Sequence, residues 1–310
     1  MSTRQHGLTL DYALVDVFAE RALAGNMLAI FTDARGLSDA QMQCLAQEMN
    51  LSETTFILPG NDAREEAEMG VRVRIFTTRE ELAFAGHPTL GTASWLYRNH
   101  PTLKGRETIT LALKSGPIEV RFRRPEPTEF PAPGDFAIMS QGEPWMGPVQ
   151  PPRAIARALG LKVDDLDQRF PAQLISTGIT YCIVPIRSLE ALDRLAIPQA
   201  LAEEYLASVD AKFFYCLTAA QAGSGAHFRA RMQFYNGEDP ATGSAAGCAA
   251  AYLVGRQMVA PDSAVVIEQG IEISRPSRLH VQASLRDGRP HRVFVGGRTI
   301  PVASGRFLLP

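Results

Sequence analysis

His87-Pro88-Thr89-Leu90-Gly91-Thr92-Ala93 returns later in the chain as Asp239-Pro240-Ala241-Thr242-Gly243-Ser244-Ala245, a shared pattern of polar residue, proline, two variable residues, glycine, hydroxyl and alanine. Each copy follows a β-rich stretch and opens a run of small residues that reads as a helix. Upstream, Ala24-Gly25-Asn26 precedes His87 at nearly the distance by which Thr177-Gly178-Ile179 precedes Asp239. Two related halves are expected, each presenting a helix N-terminus, with both ends facing one ligand across a cleft between the halves.

The pattern around these landmarks is α+β. In the first half, residues 10–18 and 28–31 read as strands, and Ser38 with Gln41 makes a capping box for a helix whose face carries Met42, Cys44, Leu45 and Met49. Strands follow at 54–58 and 71–76, where Val71, Val73 and Ile75 alternate with Arg72 and Arg74. After the His87-Pro88 helix, 108–113 and 118–122 form a hairpin. The second half repeats this order, with a helix over 189–206 broken at Pro198. Pro125, Pro127, Pro131 and Pro133, with Gly134, mark a linker, taken as 128–134. The first domain is then 1–127, completed by a C-terminal strand at 296–310, and the second is 135–295. With no glycine-rich phosphate loop between strand and helix, mainly antiparallel sheets are expected rather than a doubly wound parallel one.

At 310 residues, the chain can build two ordinary cores. Its 31 basic and 33 acidic residues leave a formal charge of -2, without the basic stripe of a nucleic-acid binder. The start lacks the apolar run of a signal peptide, and the apolar stretch 241–254 is too short to span a bilayer, so no membrane partner is expected. The four cysteines lack CxxC spacing and read as buried, reduced thiols of a cytoplasmic protein. The six histidines are dispersed, which argues against a metal site.

Asp239 has a structural explanation: Asp is a preferred helix N-cap and Pro suits the first helical position. His87 does not, because histidine is a poor cap, and a polar contact to a ligand would account for it. Gly91 and Gly243 fit either close helix–sheet packing or backbone N–H groups exposed to a carboxylate or phosphate, to which Thr92 and Ser244 could add hydroxyls. The run 240–254 carries no charge on any face and should be a helix buried through the middle of its domain. Glu53 precedes an apolar strand, where partial burial would raise a carboxylate pKa. A solvated loop carboxylate is the plainer alternative.

These motifs together resemble the PhzF family, the phenazine-biosynthesis isomerase-like proteins of the diaminopimelate-epimerase-like fold. The resemblance is carried by Asp16-Val17-Phe18 leading to Gly25-Asn26, by Leu51-Ser52-Glu53-Thr54-Thr55-Phe56 and by Arg74-Ile75-Phe76. It is strongest at Phe84-Ala85-Gly86-His87-Pro88-Thr89-Leu90-Gly91-Thr92 and Glu238-Asp239-Pro240-Ala241-Thr242-Gly243-Ser244-Ala245, and Val295-Gly296-Gly297 extends it. It implies two pseudo-symmetric domains, each an antiparallel sheet curled around a central helix, and a cofactor-free homodimeric enzyme with its site in the cleft. It implies Glu53 as acid/base, His87 and Asp239 as ligand-contacting catalytic residues, and Ser52, Gly86, Gly243 and Ser244 as binding residues for a small carboxylate substrate. The sequence departs from the family at Met27 and Thr78, where proline is common, and in its short segment 234–239.

Related epimerases of this fold place one thiol at each helix start, and this chain has none there. A single carboxylate that removes a proton and returns it on the same face suits an isomerisation. Two alternatives remain: an epimerase, racemase or lyase using Glu53 and Asp239 as its bases, and a non-catalytic metabolite-binding protein.

Overall fold

The computed structural model describes residues 8–60, 66, 68–123, 134–234 and 237–309. The chain divides into two compact units, residues 1–139 with 298–310 and residues 140–297. Apart from Gly134, the stretch read as a linker at 128–134 lies outside the described residues, as do Tyr235 and Asn236 of the short segment before Asp239. Residues 135–139, assigned from sequence to the second domain, belong to the first unit.

The first unit contains β1 (Leu8–Val17), β2 (Asn26–Phe31), α1 (Asp39–Met49), β3 (Thr54–Leu58), β4 (Val71–Phe76), β5 (Glu81–Leu82), α2 (Gly86–Asn99), β6 (Thr108–Leu113), β7 (Gly116–Arg123) and β8 (Asp135–Ser140). The second part of the last strand, β18 (Arg289–Leu309), completes it. Neighbouring strands run β1-β2-β3-β4-β6-β7-β8; β8 lies beside β18, and β18 returns antiparallel to β1, so the ring closes. Helix α2 fills it and packs on β1, β2, β3, β6 and β7. Gly91 permits that approach: a Cβ there would stand 2.6 Å from Leu28 Cδ2 and 2.8 Å from Val17 Cγ2.

The second unit contains β9 (Trp145–Val149), α3 (Pro152–Leu159), β10 (Gln173–Ser176), β11 (Thr180–Pro185), α4 (Leu189–Asp193), α5 (Gln199–Ser208), β12 (Phe213–Ala219), β13 (Phe228–Arg231), the short pair β14 (Gln233–Phe234) and β15 (Gly237–Glu238), α6 (Gly243–Gly255), β16 (Val265–Gln269) and β17 (Ser277–Arg286). Its strand order is β9-β10-β11-β12-β13-β16-β17-β18, and no pairing of β9 with β18 occurs among the described residues, so this sheet stays open. Every residue of α6 from Gly243 to Val254 is buried, as a helix without a polar face must be. It packs on β10, β11 and β17. The final strand, which spacing could not assign to either half, serves both: its start pairs with β17 and its end with β1.

Three expectations are refined or corrected. The sheets are mainly antiparallel, as expected, but not wholly so as the resemblance implied, because β2–β3, β4–β6, β11–β12 and β13–β16 pair in parallel. Each parallel pair is joined by a helical crossover, as parallel neighbours require. Helix α1 and the α4–α5 pair make the outer crossovers, while the central helices α2 and α6 are themselves crossovers inside their own sheets. Secondly, the curled sheet of the first unit closes on itself as a barrel. Thirdly, Cys44 is exposed, whereas the other three thiols are buried; the inner face of α1 is Met42, Leu45 and Ala46, packed with Phe31, Phe56 and Phe76. Among the described residues no helix is long and apolar enough to cross a membrane.

Candidate functional site

Ser52, Glu53, Gly86 and His87 fall in the first unit, and Asp239, Gly243 and Ser244 in the second. In the first unit, α1 begins at the Ser38–Gln41 capping box and ends at Asn50, whose left-handed backbone (φ 50°) turns the chain back toward the sheet. Ser52 is half-buried in the following bend, and Glu53 is the last residue before β3. That strand is held between β2 and β4, with Thr54 opposite Ala29 on one side and Phe76 on the other. Phe56 stacks on Phe31 at 5.1 Å and meets Phe76 edge-on at 5.4 Å. Thr55 bonds across to Thr92 of α2, oxygen to oxygen at 2.9 Å. Strand and helix are thereby fixed in register, and the Thr92 hydroxyl read as a candidate ligand donor is used within the fold.

That register brings two buried polar side chains together. Glu53 is 8% exposed and His87 4%, with His87 Nδ1 standing 3.6 Å from Glu53 Oε2. Burial lowers the His87 pKa from its usual 6.5 to about 3, so the imidazole is neutral and the contact is not an ion pair. At 3.6 Å it is also too long for a hydrogen bond. Nδ1 instead accepts from the Asn26 side-chain amide at 3.3 Å. The ring proton then sits on Nε2, a buried N–H with no hydrogen-bond partner among the described residues. A buried unpaired donor costs about 1–3 kcal/mol, which a ligand acceptor would recover.

Asn26 was not among the residues expected at the site. Its signal lay in the Gly25-Asn26 landmark: Gly25 has φ +70°, and a Cβ there would collide with the Val17 carbonyl oxygen, so only glycine lets β2 start where Asn26 reaches the imidazole.

Gly86 opens α2 and is buried, with Ala85 as the N-cap and no side-chain cap bond. His87 therefore lies inside the first turn rather than at the capping position. In the second unit the offset differs. Helix α6 opens at Gly243 with Thr242 as N-cap, again without a side-chain cap bond, so Asp239 and Pro240 precede the helix, and Asp239 is not its N-cap. Gly91 lies beyond the first turn of α2, whereas Gly243 begins α6. Asp239 is buried, and its Oδ2 accepts from the Thr242 hydroxyl at 2.5 Å. The Ser244 hydroxyl pairs with Tyr181 Oη at 2.7 Å.

Just before Asp239, the buried pair Arg231–Glu238 meets at 2.6 Å, and Arg231 Nη1 also donates to the Leu192 carbonyl oxygen at 2.8 Å. Cys248, the thiol on α6, is fully buried and pushed up to about 12 by desolvation, so it stays protonated. Among the described residues, no three His, Cys, Asp or Glu side chains gather as a metal-binding group.

Comparison with known proteins gives a consistent picture. A family model, PhzC-PhzF, described as phenazine biosynthesis-like protein, matches residues 15–305. Trans-2,3-dihydro-3-hydroxyanthranilate isomerase of Pseudomonas aeruginosa is 34% identical over 304 residues, covering 96% of this chain and 99% of the relative. An uncharacterized isomerase of Mesorhizobium japonicum is 32% identical over 311 residues, covering 97% and 99%. Among solved structures, a PhzF-family phenazine biosynthesis protein of Bacillus anthracis matches with a TM-score of 0.84 at 25% identity, over 97% of this chain and 100% of that one.

Proposed function

The chain belongs to the PhzC-PhzF family of phenazine biosynthesis-like proteins and is an isomerase; from that premise we propose that it moves a proton within a small, unsaturated carboxylate substrate, with Glu53 as the acid/base. The carrying observation is the buried Glu53 carboxylate beside a neutral imidazole whose Nε2–H has no hydrogen-bond partner among the described residues. Glu53 takes a proton from a carbon next to the unsaturated system. The electron pair left behind spreads toward the substrate carboxyl group. Protonated Glu53 then returns the proton to a second carbon of the same system. His87 Nε2–H donates to the oxygen on which charge develops. In the first unit the buried, side-chain-uncapped start of α2 at Gly86 presents backbone N–H groups suited to a carboxylate, and in the second the start of α6 at Gly243 with Ser244 does the same. Asp239 orients the substrate. Such a relay is complete with side chains alone.

The asymmetry of the repeat supports one base rather than two. In strand order β12 is the counterpart of β3, and the residue just before it is the exposed Lys212, where the first unit has Glu53. The free thiols do not supply a base pair either, since Cys248 remains protonated within its helix.

Trans-2,3-dihydro-3-hydroxyanthranilate, on which the Pseudomonas aeruginosa relative is named as acting, is the first compound to try, because it joins a carboxylate to a partly saturated ring. Turnover in deuterated water, followed by proton NMR, tests the reading. A single-carboxylate relay leaves substrate hydrogen in part of the product. Inversion at one carbon with full solvent deuterium would indicate a two-base epimerase instead.

A further inference from the structure

Beside Asp239, the hydrogen bonds of Gln269 fix the orientation of its amide and the direction of the Thr242 hydroxyl. Gln269, the last residue of β16, is completely buried. Its Oε1 accepts from the Thr242 backbone N–H at 3.1 Å and from Tyr215 Oη–H at 3.1 Å. Its Nε2 donates to the Asp239 carbonyl oxygen at 2.8 Å and to Thr242 Oγ1 at 3.0 Å. All four hydrogen-bonding positions of the amide are used. A flipped amide would set its NH2 against the Thr242 N–H and its oxygen against the Asp239 carbonyl, so the orientation is fixed. Because Thr242 Oγ1 accepts from Gln269, its own single proton is directed to Asp239 Oδ2, 2.5 Å away.

The loop also sits firmly on the end of β16. Gly270 has φ +76°, and a Cβ there would lie 2.6 Å from the Pro240 carbonyl oxygen and 2.5 Å from that of Arg275, so the Pro240 backbone rests directly on it.

We propose that Gln269 and Thr242 are positioning residues: the amide of Gln269 sets the direction of the Thr242 hydroxyl, which holds the Asp239 carboxylate in the one orientation that serves the substrate. This rests on the reading of Asp239 as a substrate-contacting residue. Thr242 thereby does a different job from an ordinary N-cap threonine, whose oxygen would accept from the helix's own N–H groups. The unit gives up that cap bond and directs the hydroxyl back to Asp239.

The test compares full-length Thr242→Val, Thr242→Ser, Gln269→Glu and Asp239→Asn on the compound turned over in the deuterium experiment. Thr242→Val keeps the shape and removes the donor; Thr242→Ser restores it. Loss of a hydrogen bond to a charged group corresponds to about a 10- to 100-fold fall in kcat for Thr242→Val, with KM within about threefold of the wild type. Thr242→Ser returns to within about threefold of wild-type kcat on the same scale. Gln269→Glu, which keeps both acceptor contacts and loses the amide donors, falls with Thr242→Val; should it fail to fold, the two Thr242 variants still decide. Wild-type kcat in Thr242→Val alongside an inactive Asp239→Asn would overturn the positioning role alone, as would a Thr242→Ser as slow as the valine variant. Wild-type turnover in Asp239→Asn would overturn the reading of Asp239 itself, and the positioning role with it.

Discussion

Acidification acts on this fold through His87. The imidazole is buried, and its pKa lies at about 3 against an ordinary 6.5. Below pH 6.5 the unfolded chain takes up a proton at this position, whereas the folded chain does not until the pH nears 3. The contribution of His87 to stability is therefore complete above its unfolded pKa and is lost progressively as the pH falls through that window. The slope approaches about 1.4 kcal/mol per pH unit, so roughly two units of acidification below the unfolded pKa cost about 2–3 kcal/mol. The Glu53 carboxylate 3.6 Å away, if ionised, favours the imidazolium and makes this an upper value. Urea unfolding of wild type and His87→Asn, each near neutral pH and near pH ~4.5, isolates the effect from the carboxylates that titrate in both proteins. The wild type should lose about 2–3 kcal/mol more than the variant. Equal losses in the two proteins, or a His87 ring that titrates near 6.5 in the folded state by NMR, would refute the assignment of a neutral buried imidazole.

Other consequences are local to one unit. Arg231→Met strands the Glu238 carboxylate, only 6% exposed, and should cost about 3–5 kcal/mol in a denaturant titration. Gly91→Ala drives a methyl against Leu28 and Val17 and should destabilise the first unit by about 1–3 kcal/mol, read as a lower unfolding midpoint. Ser38→Ala removes the capping box of α1 for about 1 kcal/mol in the same assay, with little effect on turnover because the site residues keep their strand and helix.

What the sequence displayed and what it concealed follow from the range of the forces involved. The capping box at Ser38, the break at Pro198 and the uniform burial of α6 are local or periodic, and each occurs as read. The repeated motif correctly signalled a repeated order of strands and crossovers. Parallel pairing escaped notice because a crossover helix inside its own sheet gives the same linear order of elements as a helix beside an antiparallel one. The start of α6 was misplaced because Asp-Pro carries a strong local capping signal, which the long-range bonds from Gln269, together with the Thr242–Asp239 bond, override. Gln269 itself stands far along the chain from Asp239 at the end of an ordinary strand, without any motif around it. The closeness of Glu53 to His87 was equally hidden, since it depends on the Thr55–Thr92 bond and the Phe31–Phe56–Phe76 stack rather than on spacing.

The proton relay stands or falls on one side chain, and Glu53→Gln is its most direct test because it keeps the size and removes the base. Steady-state turnover of the first test compound should fall by at least about 100-fold, the lower end of what general acid–base action contributes, while circular dichroism and the unfolding midpoint stay close to wild type. Turnover at the wild-type rate in a folded Glu53→Gln protein would contradict the account.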